Sequence, residues 1–281
     1  MMSVGPVGVL HPGEMGSVLG AILRGGGRRV VWASEGRSGP SHDRATRAGL
    51  EDVGTLPALV RESAVILAVC PPHAALAVAR EVARHKFSGL YLDGNAISPE
   101  TARAVGRLVG ATGASFVDGG IVGPPPKGPG TTRLYVSGPK ATDIAALFAA
   151  SPLEAVVLDG PAGAASALKV AYAAYTKGTA ALLLAIRALA VKEGVDEALA
   201  REWERSQPDL PARLAAAVRG SVPKAWRFVG EMEESAATFA DAGLPDGFSS
   251  AAALVYRRLE RYKDTKQPPA EVEIAAALRQ G

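Results

Sequence analysis

The feature that most constrains the fold lies near the N-terminus, where a short apolar strand turns through glycines into a helix. Val7–Leu10 is a continuous apolar run, and Gly13 and Gly16 open the amphipathic stretch that follows. Gly13 lets the backbone approach a pyrophosphate, Gly16 lets the helix pack closely on the strand, and the helix N-terminus presents N–H groups to an anion. The segment predicts a dinucleotide-binding turn.

The usual fingerprint of this turn is G-x-G-x-x-G, and a histidine occupies the place of the first glycine here. The remaining two glycines could also form an ordinary strand–helix turn, but their position at the opening of a βαβ unit favours the dinucleotide site. The residues expected to contact the cofactor are His11, Pro12, Gly13, Glu14, Met15 and Gly16.

The end of the second predicted strand bears on the choice between the two nicotinamide dinucleotides. Proteins that prefer NAD carry an acidic residue there, which accepts hydrogen bonds from the ribose hydroxyls. This chain instead has Ser34, Arg37 and Ser38, whose side chains can hydrogen-bond a 2′-phosphate. Glu35 is the opposing detail, since it reaches a ribose diol if the strand ends late. NADP is therefore favoured, and NAD stays possible. The alternative interpretation of Arg37 and Arg44 is that they are solvated charges in a loop.

Two later strand ends are expected to line the same crevice, because ligands of open α/β sheets bind at the carboxyl ends of the strands. The third strand ends in Cys70, Pro71 and Pro72, and Asn95 follows the fourth. Asn95 has no evident structural explanation, so we expect it to contact the cofactor with the other three. Cys70 is interpreted as a small core residue rather than a reactive thiol.

The alternation of apolar runs with amphipathic stretches continues to about Gly160 and then stops. Most of the runs are unbroken, as expected for strands of a parallel sheet covered by helices on both faces. Beyond them a helical pattern covers Ala164–Glu193, and further helical patterns follow it. We therefore predict an α/β fold, with an N-terminal Rossmann-type doubly wound sheet over residues 1–160 and an all-α C-terminal domain over residues 161–281.

Composition excludes several other classes. The 281 residues suffice for about two domains. With Cys70 as its only cysteine, the chain forms no internal disulfide and no cysteine-based zinc site, and we predict no metal site. A net charge of +3 is too balanced to indicate nucleic acid as the main partner. Met1–Pro6 lacks the basic and apolar regions of a signal peptide, so a cytoplasmic location is expected.

One stretch of the long helical pattern, Thr179–Ala190, is apolar nearly all round. Charged residues interrupt the helix as a whole, so it is better interpreted as a helix buried in protein than as a membrane span. So long a helix needs more cover than its short neighbours offer. We therefore expect a homodimer packed through the helical domains. In such a dimer, each subunit can contribute residues to the site of its partner.

Three further segments resemble a known family: Asp118–Pro126, Lys169–Tyr172 and Lys224–Glu234. With the N-terminal turn, they are similar to the β-hydroxyacid dehydrogenase superfamily, which includes 6-phosphogluconate and 3-hydroxyisobutyrate dehydrogenases and the imine reductases. The resemblance covers nearly the whole chain. It is nearest to a phosphogluconate-dehydrogenase-like branch with a C-terminal domain of unknown function.

The resemblance implies roles for individual segments. The family's Asp-x-Ser-Thr stretch, near the nicotinamide, corresponds to Asp93–Ala96, with Asn95 at the serine. Its substrate loop, Asp-x-x-Val-Ser-Gly-Gly, corresponds to Asp118–Pro124, with Val122 where a serine usually holds the substrate carboxylate. The implied substrate contacts come from Gly120, Ile121, Val122 and Gly123.

The family's catalytic segment, Lys-x-x-Asn-Asn, corresponds to Lys169–Ala173, so the lysine is kept and Tyr172 replaces the first asparagine. Hydride transfer needs a group that gives a proton to the developing alkoxide or amine, which is the role implied for Lys169. Tyr172 lies three residues on and can supply a second donor. Lys177 and Glu231 are expected near the substrate, with solvent-facing or interhelical salt-bridge residues as the equal alternative.

The leading expectation is an NADP-dependent oxidoreductase acting on a small hydroxy acid or carbonyl compound, with Lys169 as general acid/base. The altered substrate loop and asparagine pair leave an imine reductase as the first alternative. A non-catalytic nucleotide-binding sensor or scaffold is the alternative from another class, motivated by His11, Val122 and Tyr172. The expected partner is a small-molecule substrate, with no nucleic acid and no membrane.

Overall fold

The computed structural model describes residues 5–280. The chain divides between Lys169 and Val170 into two compact units. The first contains the sheet and the second is helical, as predicted.

The described part of the first unit contains one mixed sheet in the order β3-β2-β1-β4-β5-β6-β7-β8. Its neighbouring strands pair in parallel except for β6 and β7, which run antiparallel. The order reverses around β1, as in doubly wound folds, whose ligands bind at the carboxyl ends of the strands. The strands are β1 (Val7–Leu10), β2 (Val30–Trp32), β3 (Glu51–Asp52), β4 (Val65–Ala68), β5 (Leu90–Asp93), β6 (Ser115–Val122), β7 (Arg133–Ser137) and β8 (Glu154–Val157).

Helices join these strands, and two separate apolar clusters form the core of the unit. Helix ends follow local sequence signals: at the start of the fifth helix, the Ser98 hydroxyl accepts a hydrogen bond from the Thr101 N–H, and Pro99 occupies the first turn. The helices are α1 (Glu14–Gly25), α2 (Gly39–Ala48), α3 (Leu56–Glu62), α4 (Ala75–Arg84), α5 (Pro99–Gly110) and α6 (Ala141–Leu147).

The α/β class is confirmed, and three details differ from the sequence prediction. Strand β3 was not predicted because it consists of two exposed acidic residues with no apolar run. Helix α2 was not predicted because Ala45 is its only buried residue. The antiparallel β6–β7 pair was also not anticipated in a sheet expected to be parallel. An antiparallel neighbour needs only a short connection, whereas a parallel one needs a crossover.

The boundary between the units also lies later than the predicted end of the first domain at residue 160. Helix α7 (Ala164–Glu193) begins in the first unit and continues into the second. Its first turn is bonded to β6 and β7 through Asp118 and Ser137, so the first unit extends to Lys169.

The second unit is all-α over its described residues and has its own apolar core. Helix α12 was not predicted, because it follows the polar break around residues 263–269. Helix α7 is long and apolar enough to span a membrane, a weak indication because core helices of soluble proteins pass the same test. The further helices are α8 (Asp196–Ser206), α9 (Leu210–Gly220), α10 (Ala225–Asp241), α11 (Gly247–Arg258) and α12 (Glu271–Arg279).

The apolar stretch of α7 is only partly covered within its unit. Ala181 and Leu184 are buried in the helical core, as expected. Leu182 and Leu189 are 57% and 60% exposed, so the predicted burial of Thr179–Ala190 holds for one face of the helix only.

Candidate functional site

The glycine-rich turn connects β1 to α1 at the carboxyl edge of the sheet. Gly13 is the N-cap of α1 and has no side chain with which to cap the helix. A Cβ placed on Gly13 would meet nothing nearer than the His11 carbonyl oxygen at 3.9 Å, whereas one on Gly16 would lie 2.8 Å from that oxygen. Gly16 is therefore required for packing, and Gly13 leaves open space in front of a helix N-terminus.

His11, at the place of the family's first glycine, adopts a left-handed backbone conformation with φ 65°. Burial, aided by the charge of Arg37, lowers the pKa of its imidazole to about 4. Its Nδ1 is buried without a hydrogen-bond partner in the described chain. A histidine at positive φ is strained, since glycine adopts this conformation more readily.

Arg37 follows β2, and its charge perturbs the pKa of both His11 and Cys70, so it lies within electrostatic range of both residues. Its Nε is buried without a partner among residues 5–280, and burial lowers its pKa. A cation with an unused donor beside a helix N-terminus is suited to a phosphate.

Ser34, Glu35 and Ser38 also follow β2. Ser34 is half-buried, while Ser38 is exposed and its hydroxyl lies 3.1 Å from that of Ser41. Glu35 is exposed, so the one acidic side chain that could favour NAD is directed to solvent. Arg44 is not a solvated loop charge: its Nε donates to the Pro12 carbonyl at 3.0 Å and so ties α2 to the glycine-rich turn.

The ends of β4 and β5 are joined through Asn95. The side-chain Oδ1 of Asn95 accepts a hydrogen bond from the Cys70 N–H at 2.5 Å. Its backbone N–H and its Nδ2 donate to the two oxygens of Asp93, at 2.9 and 3.0 Å. Asn95 is 2% exposed, so it does have the structural explanation that the sequence analysis did not find.

Two buried groups beside Asn95 have strongly shifted pKa values. Burial, with the nearby Asp118, raises the pKa of Asp93 to about 7. Burial and Asp93 raise the pKa of the Cys70 thiol to about 12, so the half-buried Cys70 stays protonated and unreactive at neutral pH. Of the adjoining prolines, Pro71 is exposed and Pro72 begins a short 3₁₀ helix.

Asp118 on β6 is fully buried and is bonded to the first turn of α7. Its Oδ2 accepts from the N–H groups of Gly163 and Ser166, at 2.9 and 3.0 Å, and from the Ser137 hydroxyl at 3.0 Å. Its Oδ1 accepts from the Ser166 hydroxyl at 2.5 Å. The Ser137 oxygen in turn accepts from the Ala165 N–H at 3.1 Å. The positive end of α7 is thus filled by a carboxylate of the protein itself.

Gly120, two residues along β6, brings Lys169 against the sheet. A Cβ on Gly120 would lie 2.6 Å from the Ala165 carbonyl oxygen and 3.0 Å from the Lys169 Cβ. A side chain is excluded at this position, so Gly120 is required for α7 to pack at this distance. Lys169 is half-buried and has polar or charged interactions within the protein.

The remaining residues of the predicted substrate loop belong to β6 or follow it. Ile121 and Val122 are buried, with exposed fractions of 7% and 3%, and Ile121 belongs to the core. Their side chains therefore do not form an exposed loop. Gly123 is exposed at φ 119°, and a Cβ there would lie 2.4 Å from the Thr131 carbonyl oxygen. Strand pairing with β7 continues through Ile121 and Val122, so these two predicted substrate contacts belong to the end of β6 rather than to a loop.

Three predicted site residues lie in the second unit. Tyr172 is 48% exposed. Lys177 forms an ion pair with Glu231, and its amino group lies 4.8 Å from the centre of the Phe228 ring. The alternative to a substrate contact was a solvent-facing position or an interhelical salt bridge, and the structure contains the salt bridge. The two charged side chains therefore neutralise each other within the second unit.

Sequence analysis did not single out Asp118, Ser137, Ser166 or Arg44 as site residues. Asp118 stood inside the recognised substrate-loop segment, but nothing in the sequence gives its distance to a helix that begins 46 residues later. No group of three or more histidine, cysteine or acidic residues suited to a metal ion occurs in the described chain.

Comparison with known proteins places the fold in a class. A structure of a 3-hydroxyisobutyrate dehydrogenase from Mycobacterium tuberculosis with L-serine is 20% identical, aligns over 98% of both chains, and has a TM-score of 0.71. An Aspergillus terreus reductive aminase in complex with NADPH4, cyclohexanone and allyl amine is 17% identical over 99% of both chains, with a TM-score of 0.58. This chain therefore shares the fold of these two proteins.

Proteins of higher identity define its nearer relatives. Residues 190–259 match the family model described as a domain of unknown function, DUF1932. A conserved protein of unknown function, described as structurally similar to 3-hydroxyacid dehydrogenases, is 28% identical over 92% of this chain and 97% of its own, with a TM-score of 0.68. An uncharacterised 28.5 kDa protein of Methanothermus fervidus is 29% identical over 195 residues, 69% of this chain and 74% of its own.

Proposed function

We propose that this protein is an NADP-dependent oxidoreductase that transfers a hydride between the nicotinamide and a small hydroxy acid or carbonyl substrate, with Lys169 as general acid/base. The observation that carries the proposal is the glycine-rich turn, with open space at Gly13 and the partnerless Nε of Arg37, whose charge acts on His11 of the same turn. The likeness to a reductive aminase bound to NADPH4 and to a hydroxyisobutyrate dehydrogenase supports the reaction class.

The residues of the turn fit a dinucleotide phosphate. Two buried nitrogens, His11 Nδ1 and Arg37 Nε, have no protein partner within the described residues. A buried polar group without a partner is costly, and an oxygen of the 2′-phosphate of NADP would supply an acceptor to Arg37 Nε. Arg44 holds the Pro12 carbonyl and so fixes the shape of the turn.

The second-strand end favours NADP over NAD. The position where NAD-preferring proteins carry an acid is followed by Ser34 and Arg37, and the nearby Glu35 is exposed. Arg37 would hold a 2′-phosphate by a charge-assisted hydrogen bond, with Ser34 or Ser38 as a second donor. A free 2′-hydroxyl offers no charge to Arg37, so NAD would bind more weakly.

The nicotinamide, when bound, supplies or accepts the hydride. Lys169 gives a proton to the substrate oxygen during reduction, and its neutral amine takes that proton back during oxidation. The packing of α7 on Gly120 holds the backbone of Lys169 against β6, so the amino group moves only through its own side-chain torsions. The side chain of Asn95 keeps the ends of β4 and β5 together at the edge of the sheet.

Cofactor binding tests the first part of the proposal. NADPH and NADH titrations, followed by fluorescence or calorimetry, should give the tighter dissociation constant for NADPH. Arg37→Ala should weaken NADPH binding about 10- to 100-fold, the value of one charged hydrogen bond, and leave NADH binding within about twofold. Arg47→Ala removes an exposed charge from α2 and is the matched control. Equal losses for both dinucleotides would remove Arg37 from the 2′-phosphate site.

Turnover tests the second part. A panel of 2-oxo and 3-oxo acids and cyclic imines should contain a compound that oxidises NADPH, and Lys169→Ala should lower its kcat at least 100-fold. NADPH binding without any turnover across a broad panel would favour a non-catalytic sensor. Unchanged turnover in Lys169→Ala would remove the lysine from the mechanism.

Imine reduction is the second candidate within this class. It is favoured by the buried Val122, which provides no hydroxyl for a substrate carboxylate. Turnover of cyclic imines but not of oxo acids would establish it, and the reverse result would exclude it.

We also propose that the protein acts as a homodimer in the cytoplasm, packed through α7. Tyr172, Tyr175, Leu182 and Leu189 are each about half exposed or more, and the last three are spaced by seven residues. A seven-residue apolar spacing suits packing against a second helix. Light scattering should give a dimer that Leu182→Glu with Leu189→Glu converts to a monomer, while Val272→Glu, at another exposed apolar position, leaves it dimeric.

A further inference from the structure

The buried carboxylate of Asp118 lies on the same strand as Gly120, against which Lys169 packs. Asp118 and Gly120 lie two residues apart on β6, so they face the same side of the sheet. Helix α7 packs on that side: its first turn is bonded to Asp118, and its second turn meets Gly120. Lys169 lies on this second turn, one helical turn after the residues that Asp118 holds.

The bonding pattern fixes the helix end in more than one direction. Asp118 accepts from two backbone N–H groups, those of Gly163 and Ser166, which sets the position of the helix along its axis. Ser166 adds a side-chain bond to the other carboxylate oxygen, and Ser137 bonds both Asp118 and the Ala165 N–H. These contacts on different sides of the first turn also set the rotation of the helix.

The direction of Lys169 follows from that rotation. Ala165 and Lys169 are four residues apart, so they share a face of α7, and both lie against Gly120. A rotation or slide of the first turn would carry Lys169 away from β6. The close approach at Gly120 permits this placement but does not attract the helix, since glycine offers no side chain to bind it.

We propose that Asp118 is the positioning residue for Lys169: by filling the N-terminus of α7 it sets where the lysine amino group stands at the edge of the sheet. Asp118 needs no contact with substrate or cofactor for this role. The inference rests on the function proposed for Lys169, and it assigns to the family's substrate-loop aspartate a task directed at the helix.

The test compares three variants of the whole protein with NADPH and the panel compound that is turned over fastest. Asp118→Asn replaces one acceptor oxygen by a donor that opposes the N–H groups of α7. It should lower kcat at least tenfold while the NADPH dissociation constant and the substrate KM stay within twofold. Ser166→Ala removes one bond and should lower kcat about threefold. Asp143→Asn, an exposed carboxylate on α6, is the control and should leave kcat unchanged.

A second measurement needs no substrate and also serves if Asp118→Asn does not fold. Gly120→Ala keeps the carboxylate but pushes the first two turns of α7 away, since its Cβ would lie 2.6 Å from the Ala165 carbonyl oxygen and 3.0 Å from the Lys169 Cβ. Labelling with pyridoxal 5′-phosphate and borohydride, read by peptide mass spectrometry, gives the modification rate of Lys169 relative to Lys192 at the far end of α7. This ratio should change at least threefold in Gly120→Ala and in folded Asp118→Asn.

The outcomes separate the two proposals. Wild-type kcat and an unchanged labelling ratio in folded Asp118→Asn would overturn the positioning role, even if Lys169→Ala is inactive. Full turnover in Lys169→Ala would instead overturn the proposed function of the lysine, whatever Asp118→Asn does to the labelling ratio. A fall in kcat together with an equal rise in KM and in the NADPH dissociation constant would indicate general damage to the fold and would also contradict the positioning role.

Discussion

Helices α1 and α7 both have their N-termini within the first unit, yet the two ends are occupied in opposite ways. At α7 the N–H groups bond to Asp118 and Ser137. At α1 the N-cap is Gly13, which has no side chain, and the space in front of it is open. The positive end of a helix attracts an anion in either case. An anion supplied by the protein fixes the helix, whereas an open end leaves that position for a ligand.

The largest expected effect is a loss of stability when the carboxylate at the N-terminus of α7 is removed. Asp118→Ala removes the acceptor of two buried N–H groups and two hydroxyls, so the free energy of unfolding should fall by about 3 kcal/mol or more. Urea denaturation measures it. Asp143→Ala, at an exposed ion pair, should change it by less than about 0.5 kcal/mol. A loss at Asp118 no larger than at Asp143 would mean that the filled end does not hold the helix.

An intermediate effect belongs to the open end and depends on pH. His11 has a folded-state pKa of about 4, below its ordinary value of 6.5, so protons favour the unfolded chain. Stability should therefore fall as the pH drops from about 6.5 towards 4, by about 2 kcal/mol between pH 7 and pH 5.

His11→Asn tolerates positive φ and does not titrate in this range, so its stability should lack this part of the pH dependence. His42→Asn, an exposed histidine of α2, is the control and should keep the wild-type dependence. Saturating NADPH should reduce the wild-type loss, since a phosphate beside the imidazole stabilises its protonated form. Identical pH profiles for His11→Asn and the wild type would refute the buried neutral histidine.

The smallest effect concerns ligand affinity at the open end. Gly13→Ala adds a methyl group where the nearest heavy atom is 3.9 Å away, so folding should be unaffected. The methyl group would block the close approach of a pyrophosphate, and the NADPH dissociation constant should rise about tenfold, or about 1.4 kcal/mol. Gly25→Ala, in open space at the other end of α1, should leave it unchanged. Equal affinity in Gly13→Ala would mean that no ligand approaches this helix end.

Much of the fold could be predicted because the relevant signals are local. Apolar runs, most of them unbroken, predicted the strands of the sheet other than β3, and α7 was predicted with its observed bounds, Ala164–Glu193. The elements that sequence analysis missed have weak local signals: Glu51–Asp52 is a pair of exposed acids, and α2 buries only Ala45. The antiparallel β7 has the same apolar pattern as a parallel strand, so composition does not reveal its direction.

The site was predicted less completely because its bonds join distant parts of the chain. The importance of the turn at Gly13 follows from its own sequence. The contact of Arg44 with Pro12, and that of Asp118 with Ser166, depend on which elements the sheet order brings together. Asn95 was correctly predicted to follow a strand. Its side chain bonds Cys70 and Asp93, and the bond to Cys70 depends on which strand lies beside β5.

The α/β class, the change to helices near residue 160 and the glycine-rich turn could be predicted from the sequence, because they depend on periodicity and glycine chemistry within short segments. The folded chain was needed to show that Asp118 fills the end of α7, that Lys177 pairs with Glu231, and that Ile121 lies in the core. A buried polar group bonds to whatever the fold brings within about 3 Å, and that distance is set by chain topology rather than by sequence spacing.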